Sequence, residues 1–335
     1  MPKISLATVA RALDAMLDGQ MTAQARIAAH LVAVAEASGH DASQVIETLE
    51  AIAATTVLDE FWITDEQGMA YLTNVRDATG ALMPFRFNPN PAVQPQASKF
   101  YALLGSPIES DHVITQSAQV REIDQEIYKY VGVNGVDRKR IVQVGNALAF
   151  EEHDLQSGSY TSPVMTAVMA AFGEPDLLDF AFTDQLDEIR VVFEEILGKQ
   201  IIVQARLVEH FVTGAEEAGW PTEEINGRLL RIVNSSPLDE IHVVSMPGDT
   251  VYSSLRSPLA GETPAGLPGA DELSSLLDGT NKVVDQPTAP RASDGALYKY
   301  VTVAFANTPR FVQFSLPIDV GTLLSPRYNP ASTGG

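Results

Sequence analysis

The chain contains no cysteine among its 335 residues. That absence excludes disulfides, thiol nucleophiles and cysteine-ligated zinc or iron–sulfur centres, and it leaves the compartment open. Basic residues are scarce: 22 Lys and Arg stand against 43 Asp and Glu, for a net charge of −21. Such a surface repels phosphate backbones and anionic lipid, so neither nucleic acid nor direct membrane insertion is expected. The same acidity also serves simply to keep a protein soluble. No segment approaches the ~20 apolar residues needed to span a bilayer. Met1 to Gly19 lacks both the basic start and the continuous apolar run of a signal peptide. Taken as full length, the chain would be cytoplasmic; taken as a region lying between two spans of a membrane receptor, it would be a periplasmic sensor region. Also missing are G-x-S-x-G, the P-loop, H-E-x-x-H and C-x-x-C-H, so no enzyme is expected.

What the sequence does contain is a repeat. Tyr128-Lys129-Tyr130-Val131 returns as Tyr298-Lys299-Tyr300-Val301, and Arg140, Val142 and Gln143 return as Arg310, Val312 and Gln313, all 170 residues on. Upstream, Gln24-Ala25-Arg26, His30, Gly39 and Leu58-Asp59-Glu60 return 180 residues on as Gln204-Ala205-Arg206, His210, Gly219 and Leu238-Asp239-Glu240. Two constant offsets separated by one gap indicate a duplicated module, in line with the length.

Each copy opens with helical spacing. Ile27, Leu31 and Val34 share a stripe, as do Leu207, Phe211 and Ala218, and Gly39 and Gly219 stop the helices. A second helix follows, with a capping box from Asp41 and Gln44 in the first copy and Pro221 near the start in the second. The period then changes to two. Leu58–Thr64 and Met69–Thr73 flank the turn Asp65-Glu66-Gln67-Gly68, and Leu238–Val244 and Thr250–Ser254 repeat the hairpin. Later strands are expected at His112–Ser117, Glu126–Val133 and Arg140–Val144, and at Ala296–Ala304 and Arg310–Leu316. The copies diverge in the middle. The first has a short helical run, Ser98–Leu104; the second has a Gly/Pro-rich stretch, Pro258–Gly269, and a short helix over Ala270–Leu277. The fold class is α+β: two tandem modules, each an antiparallel sheet of about five strands behind an N-terminal helical hairpin. The expected domains are an N-terminal helix (1–20), the first module (21–150), a helical linker (151–199), the second module (200–320) and a flexible tail (321–335). Within the linker, Leu186 to Gly214 reads as one long helix whose stripe of Ile189, Val192, Phe193 and Ile196 either docks on its own domain or forms a homodimer seam.

The first module resembles the Cache (single-Cache, PAS-like) sensor domains of bacterial chemotaxis receptors and histidine kinases. Three elements carry the resemblance: Asp59 to Asp65 with Gly68 and Tyr71; Phe87, Pro89 and Gln94 to Tyr101; and Tyr128 to Arg138 with Arg140 to Gly145. It covers about residues 22–145, while residues 200–318 look like a diverged duplicate. The resemblance implies a pocket between the sheet and the loops over it, a small organic ligand, and a signalling-protein partner. The chain departs from the family in showing no membrane span and no output domain.

For a ligand site the candidates are Trp62, Tyr71, Phe85, Arg86, Phe87, Tyr101, Arg121, Tyr128 and Tyr130. Trp62 serves either as pocket wall or as ordinary packing; its counterpart is His242. Tyr128 and Tyr130 share one strand face, as do Tyr298 and Tyr300, while Lys129 and Lys299 point to the other. Arg86, between two phenylalanines, and Arg121, before a strand, could each grip a carboxylate or lie solvated. No cofactor is expected in the main reading. The alternative is haem or a chromophore held through His30 or His210, against half-buried helix histidines. Glu109, Asp111 and His112, and Glu151-Glu152-His153-Asp154, could hold a cation but lack a recognised spacing. A further alternative is an assembly protein with closed pockets.

Overall fold

The computed structural model describes residues 4–121, 126–147, 182–183, 186–245, 250–255, 272, 275–276, 282–291, 295–306 and 308–318. The segment Val164–Phe172, the loop Gln156–Tyr160, the cluster Glu151–Asp154, Pro258–Gly269, most of Ala270–Leu277 and the tail lie outside them.

Helix α1 (Leu6–Ala37) begins at Ser5, whose hydroxyl accepts from the Thr8 N–H at 3.1 Å, and ends at Gly39 with φ 84°. Its partner α2 (Ala42–Thr55) carries the expected capping box: Gln44 N–H donates to Asp41, and Asp41 N–H to the Gln44 side chain. Each such cap satisfies donors that a helix start otherwise leaves unpaired. The second hairpin is α3 (Leu186–Glu217), closed by Gly219 at φ 70°, and α4 (Thr222–Asn234), which starts after Pro221. Helix α1 runs unbroken across residue 20, so no separate N-terminal helix exists. Helix α3 begins inside the expected linker.

In chain order the strands are β1 (Ile4–Ser5), β2 (Glu60–Thr64), β3 (Ala70–Thr73), β4 (Val113–Val120), β5 (Ile127–Asn134), β6 (Ile141–Ala147), β7 (Phe182–Thr183), β8 (Glu240–Ser245), β9 (Thr250–Ser253), β10 (Val283–Asp285), β11 (Ala289–Pro290), β12 (Leu297–Ala304) and β13 (Arg310–Pro317). The first sheet has the order β3-β2-β6-β5-β4, and the second β9-β8-β13-β12-β10, with β11 also on β12. Counted within each module, and leaving out the two-residue β11, both read 2-1-5-4-3, antiparallel throughout, which is the PAS-like arrangement. The short edge strands β10 and β11, and the β1–β7 pair, carry too few residues for a period to show in sequence.

One face of each sheet packs on helices through Phe61, Ile63, Val131, Val133, Val142 and Val144 in the first module and Ile241, Val243, Val301, Val303, Val312 and Phe314 in the second, all fully buried. The two cores then merge, because α1 and α3 lie side by side and each is enclosed by its own sheet and the other helix. Every residue from Met21 to Val32 is buried, as expected for a helix enclosed on all sides. The helices run parallel. Gln24 Nε2 donates to Gln200 Oε1 at 2.7 Å, Gln204 Nε2 to Gln20 Oε1 at 2.8 Å, and Val34 meets Gly214. The four glutamines are related by the 180-residue offset, so the seam has an approximate two-fold axis inside one chain. Of the stripe offered as docking face or homodimer seam, Ile189 and Phe193 are buried in this merged core, Ile196 packs against it and Val192 is buried.

Candidate functional site

The other face of the first sheet presents Glu60 and Trp62 from β2, Tyr128, Tyr130 and Gly132 from β5, Gln143 and Gly145 from β6 and Gln116 from β4. Two glycines shape it. A Cβ at Gly132 would lie 2.6 Å from Phe100, and one at Gly145 would lie 2.4 Å from Tyr130. Phe100, on the 3-10 helix Ala97–Gly105, can therefore rest directly on the sheet. The covering loop is tied down by its own amides. Gln94 Nε2 donates to Arg86 O at 2.8 Å and its Oε1 accepts from Asn88 N–H at 2.7 Å, while Gln96 Nε2 reaches Val120 O at 2.7 Å.

Between loop and sheet is a cavity of about 80 Å³ lined chiefly by Trp62, Phe85, Phe87, Phe100, Tyr130 and Gln116, with Arg121 and Gln143 at its polar side. Trp62, Phe85 and Phe87 form a chain of tilted rings with centroids 5.2 and 5.0 Å apart. At the polar side, Glu60 accepts from Trp62 Nε1 and from Tyr130 OH, each at 2.9 Å, and from Arg121. Arg121 also donates to Tyr130 OH at 3.0 Å and lies over the Tyr128 ring, 3.8 Å from its centroid. Burial, then the Glu60 carboxylate, push both tyrosine hydroxyls well above their usual range, so they remain protonated donors. Within the lining of the cavity the Arg121 guanidinium is met by the Glu60 carboxylate. Gln116 is 4% exposed, and neither atom of its amide has a hydrogen-bond partner among the described residues.

Of the sequence candidates, Trp62, Phe85, Phe87, Arg121 and Tyr130 line this cavity. Tyr128 sits one layer behind, stacked on Tyr130 at 5.6 Å. Arg86 and Tyr101 are outside the lining, although Tyr101 packs against the same aromatic cluster. Tyr71 is on the wrong side of the sheet for this site. The register of β2 and β3 shifts between Ile63 and Thr64, and this bulge turns Tyr71 toward α1, where its hydroxyl donates to Glu36 at 2.5 Å and accepts from Arg140 at 2.7 Å. The second module repeats that helix-side contact with Tyr252, Glu216 and Arg310. Lys129 points away from the cavity, as expected, and bonds Asp14 and Asp18 of α1 at 2.6 and 2.7 Å.

Sequence reasoning does not single out Glu60, Gln116 or Gln143 as site residues. Glu60 and Gln143 are visible there only as members of the repeat and of the motifs that carry the resemblance. The second module keeps part of the constellation: Arg291 lies 3.9 Å over the Tyr298 ring and bonds Asp239 at 3.2 Å. There His242 bridges Glu240 and Ser253, both at 3.1 Å. Ser253 is fully buried and already accepts from Leu255 N–H, so this chain of groups is a packing feature. Thr302, fully buried, stands where Gly132 stands in the first module.

His30 is buried against Phe211, with ring centroids 5.9 Å apart, and His210 is half-buried. Among the described residues no group of three or more His, Asp or Glu side chains could hold a metal ion. Glu109 pairs with Arg228 and Arg231, and His112 with Ser106. Among the described residues no helix is long and apolar enough to cross a membrane.

No family model matches the chain, and no curated protein matches it. Among solved structures, it is similar to an extracellular domain assigned to a histidine kinase, rpHK1S-Z16, at 10% identity, covering 93% of this chain and 94% of that one, with a TM-score of 0.26. It is also similar to the sensor domain of the V. cholerae histidine kinase DctB, at 7% identity, 92% and 90% coverage and a TM-score of 0.28. A third is an extracellular ligand-binding receptor from Desulfohalobium retbaense, at 12% identity, 93% and 39% coverage and a TM-score of 0.23. At these values the likenesses decide nothing, and the fold rests on the strand order of the chain itself.

Proposed function

We propose that this chain is a small-molecule-binding sensory protein whose first module holds the ligand between sheet and covering loop. The supporting observation is Gln116: a buried amide with no partner among the described residues, inside an aromatic cavity, is costly unless something else completes its hydrogen bonds. Because Arg121 is matched by Glu60, the ligand is net neutral. The cavity of about 80 Å³, where one water needs roughly 10–15 Å³ of such space, suits a small ligand such as an amide, urea or lactam. The route outward is short. Tyr130 faces the cavity, and Lys129, next to it on β5, grips α1, which packs along α3. A ligand that shifts β5 therefore acts on the helix seam. A thermal-shift screen of small neutral amides, ureas and lactams tests this. Gln116→Leu should lose a response that the unmodified chain shows. If no compound moves the melting temperature, or if Gln116→Leu responds unchanged, the reading fails.

A further inference from the structure

A second and larger space, about 310 Å³, lies between the first sheet and α4 of the other module, lined by Arg26, Ala29, His30, Asn134, Val136 and Arg231 among others. Arg26 is 9% exposed. It donates to two backbone carbonyls, Ser235 O at 3.1 Å and Ser110 O at 3.3 Å, and its nearest carboxylate, on the 90% exposed Asp111 side chain, is 3.8 Å away. A buried guanidinium without a close counter-charge is unfavourable. His30, 5% exposed, lines the same space with no hydrogen-bond partner among the described residues.

The second module shows what completes such a site. Arg206, the equivalent of Arg26, bonds the Glu209 carboxylate at 2.7 Å and the Ala304 carbonyl at 2.8 Å. The other oxygen of Glu209 accepts from the Ala306 N–H. By the same offsets, Glu209 corresponds to Ala29, Ala304 to Asn134 and Ala306 to Val136, and all three first-module counterparts line the cleft. The Val136 N–H has no partner among the described residues. The first module thus keeps the guanidinium and the backbone donor but carries a methyl group where its twin carries the carboxylate. The acids nearby do not replace it. Glu109, held at φ 58° where few non-glycine residues lie, is clamped by Arg228 and Arg231, and Asp111 faces solvent.

We propose that this cleft is a second binding site, distinct from the sheet-face cavity, for a small organic carboxylate that takes the place Glu209 fills in the other half. Arg26 and the Val136 N–H bind its oxygens, and His30 and Arg231 surround the remainder. Occupancy would bridge the two modules, because α4 and the first sheet form opposite walls.

Calorimetric titration of the full chain with acetate and succinate, against acetamide and chloride at matched ionic strength, tests it. Carboxylates should bind at one site per chain and acetamide should not. Arg26→Gln should weaken binding at least ten-fold, Ala29→Glu should abolish it by supplying the carboxylate internally, and Gln116→Leu should leave it unchanged. Glu209→Ala should lower the melting temperature, recover it in acetate and raise the stoichiometry to two. Absence of carboxylate binding, equal binding of acetamide, or unchanged binding in Arg26→Gln would overturn the proposal. Should Ala29→Glu fail to fold, Glu209→Ala tests the same idea independently, since its failure to gain a site also counts against it.

Discussion

Arg121 and Arg291 occupy the same place in the two halves of the molecule, 170 residues apart. Each donates its backbone N–H to a residue five positions on, Arg121 to Glu126 O at 2.7 Å and Arg291 to Ala296 O at 2.8 Å. Each also lays its guanidinium over the first tyrosine of the repeated strand, at 3.8 and 3.9 Å. In the first half the arginine completes a buried pair with Glu60, whose side chains are 10% and 6% exposed.

Breaking that pair should be costly. Arg121→Met strands a buried carboxylate, and a loss of about 3–5 kcal/mol is expected in urea denaturation. The double variant Arg121→Met with Glu60→Leu should recover much of the loss, because it removes both charges. A double variant no more stable than Arg121→Met would mean that the arginine acts through its ring contact with Tyr128 instead.

At Gly132 the question is space. Its missing side chain admits Phe100, so Gly132→Ala forces ring and strand apart and should cost about 1–3 kcal/mol. It should also abolish any thermal response to neutral ligands. Thr302→Gly in the second module, which opens space rather than filling it, should not abolish that response. Ligand response surviving in Gly132→Ala would show that the covering helix is not seated as described.

These two sites also mark how far the sequence could be read. The offsets of 170 and 180 revealed two modules, and strand parity placed the tyrosines and Lys129 on opposite faces. The motif of the resemblance put Tyr71 among the ligand candidates, but a bulge in its hairpin turns it to the helix side. Arg121 and Arg291 sit before their strands rather than in them, so nothing local linked either to Glu60 or Asp239, which only the sheet brings near. The cleft at Arg26 was illegible for a different reason. Its signal is Ala29 opposite Glu209, an absence that acquires meaning only once Asn134 and Val136 are folded beside it.

Gln116→Leu should act in two opposite senses. Without ligand, removing an unpartnered buried amide should raise stability by about 1 kcal/mol. With a binding compound present, the variant should fall below the unmodified chain, since it no longer gains from binding. Paired thermal melts with and without the compound would show whether the curves cross.

His30 should make stability depend on pH. Burial, and then the guanidinium groups of Arg228, Arg231 and Arg26, push its imidazole down to about 3; Phe211 packs beside it, and Glu109 and Asp111 line the same cleft. The unfolded chain takes up that proton near the ordinary value of about 6.5, so the contribution is complete above that pH and is lost as pH falls toward 3. The slope from this group approaches about 1.4 kcal/mol per pH unit. Between pH 7 and 5, the urea midpoint of the unmodified chain should fall relative to that of His30→Leu as pH falls. A constant difference would show that His30 takes up its proton as readily folded as unfolded.

The parallel seam of α1 and α3 has one further consequence. A symmetric pair of identical subunits must mutate both copies at once, whereas here each half drifts independently around a shared axis. Glu209 now bonds Arg206 and Ala306 in one half, where Ala29 stands in the other, and buried Thr302 stands opposite Gly132.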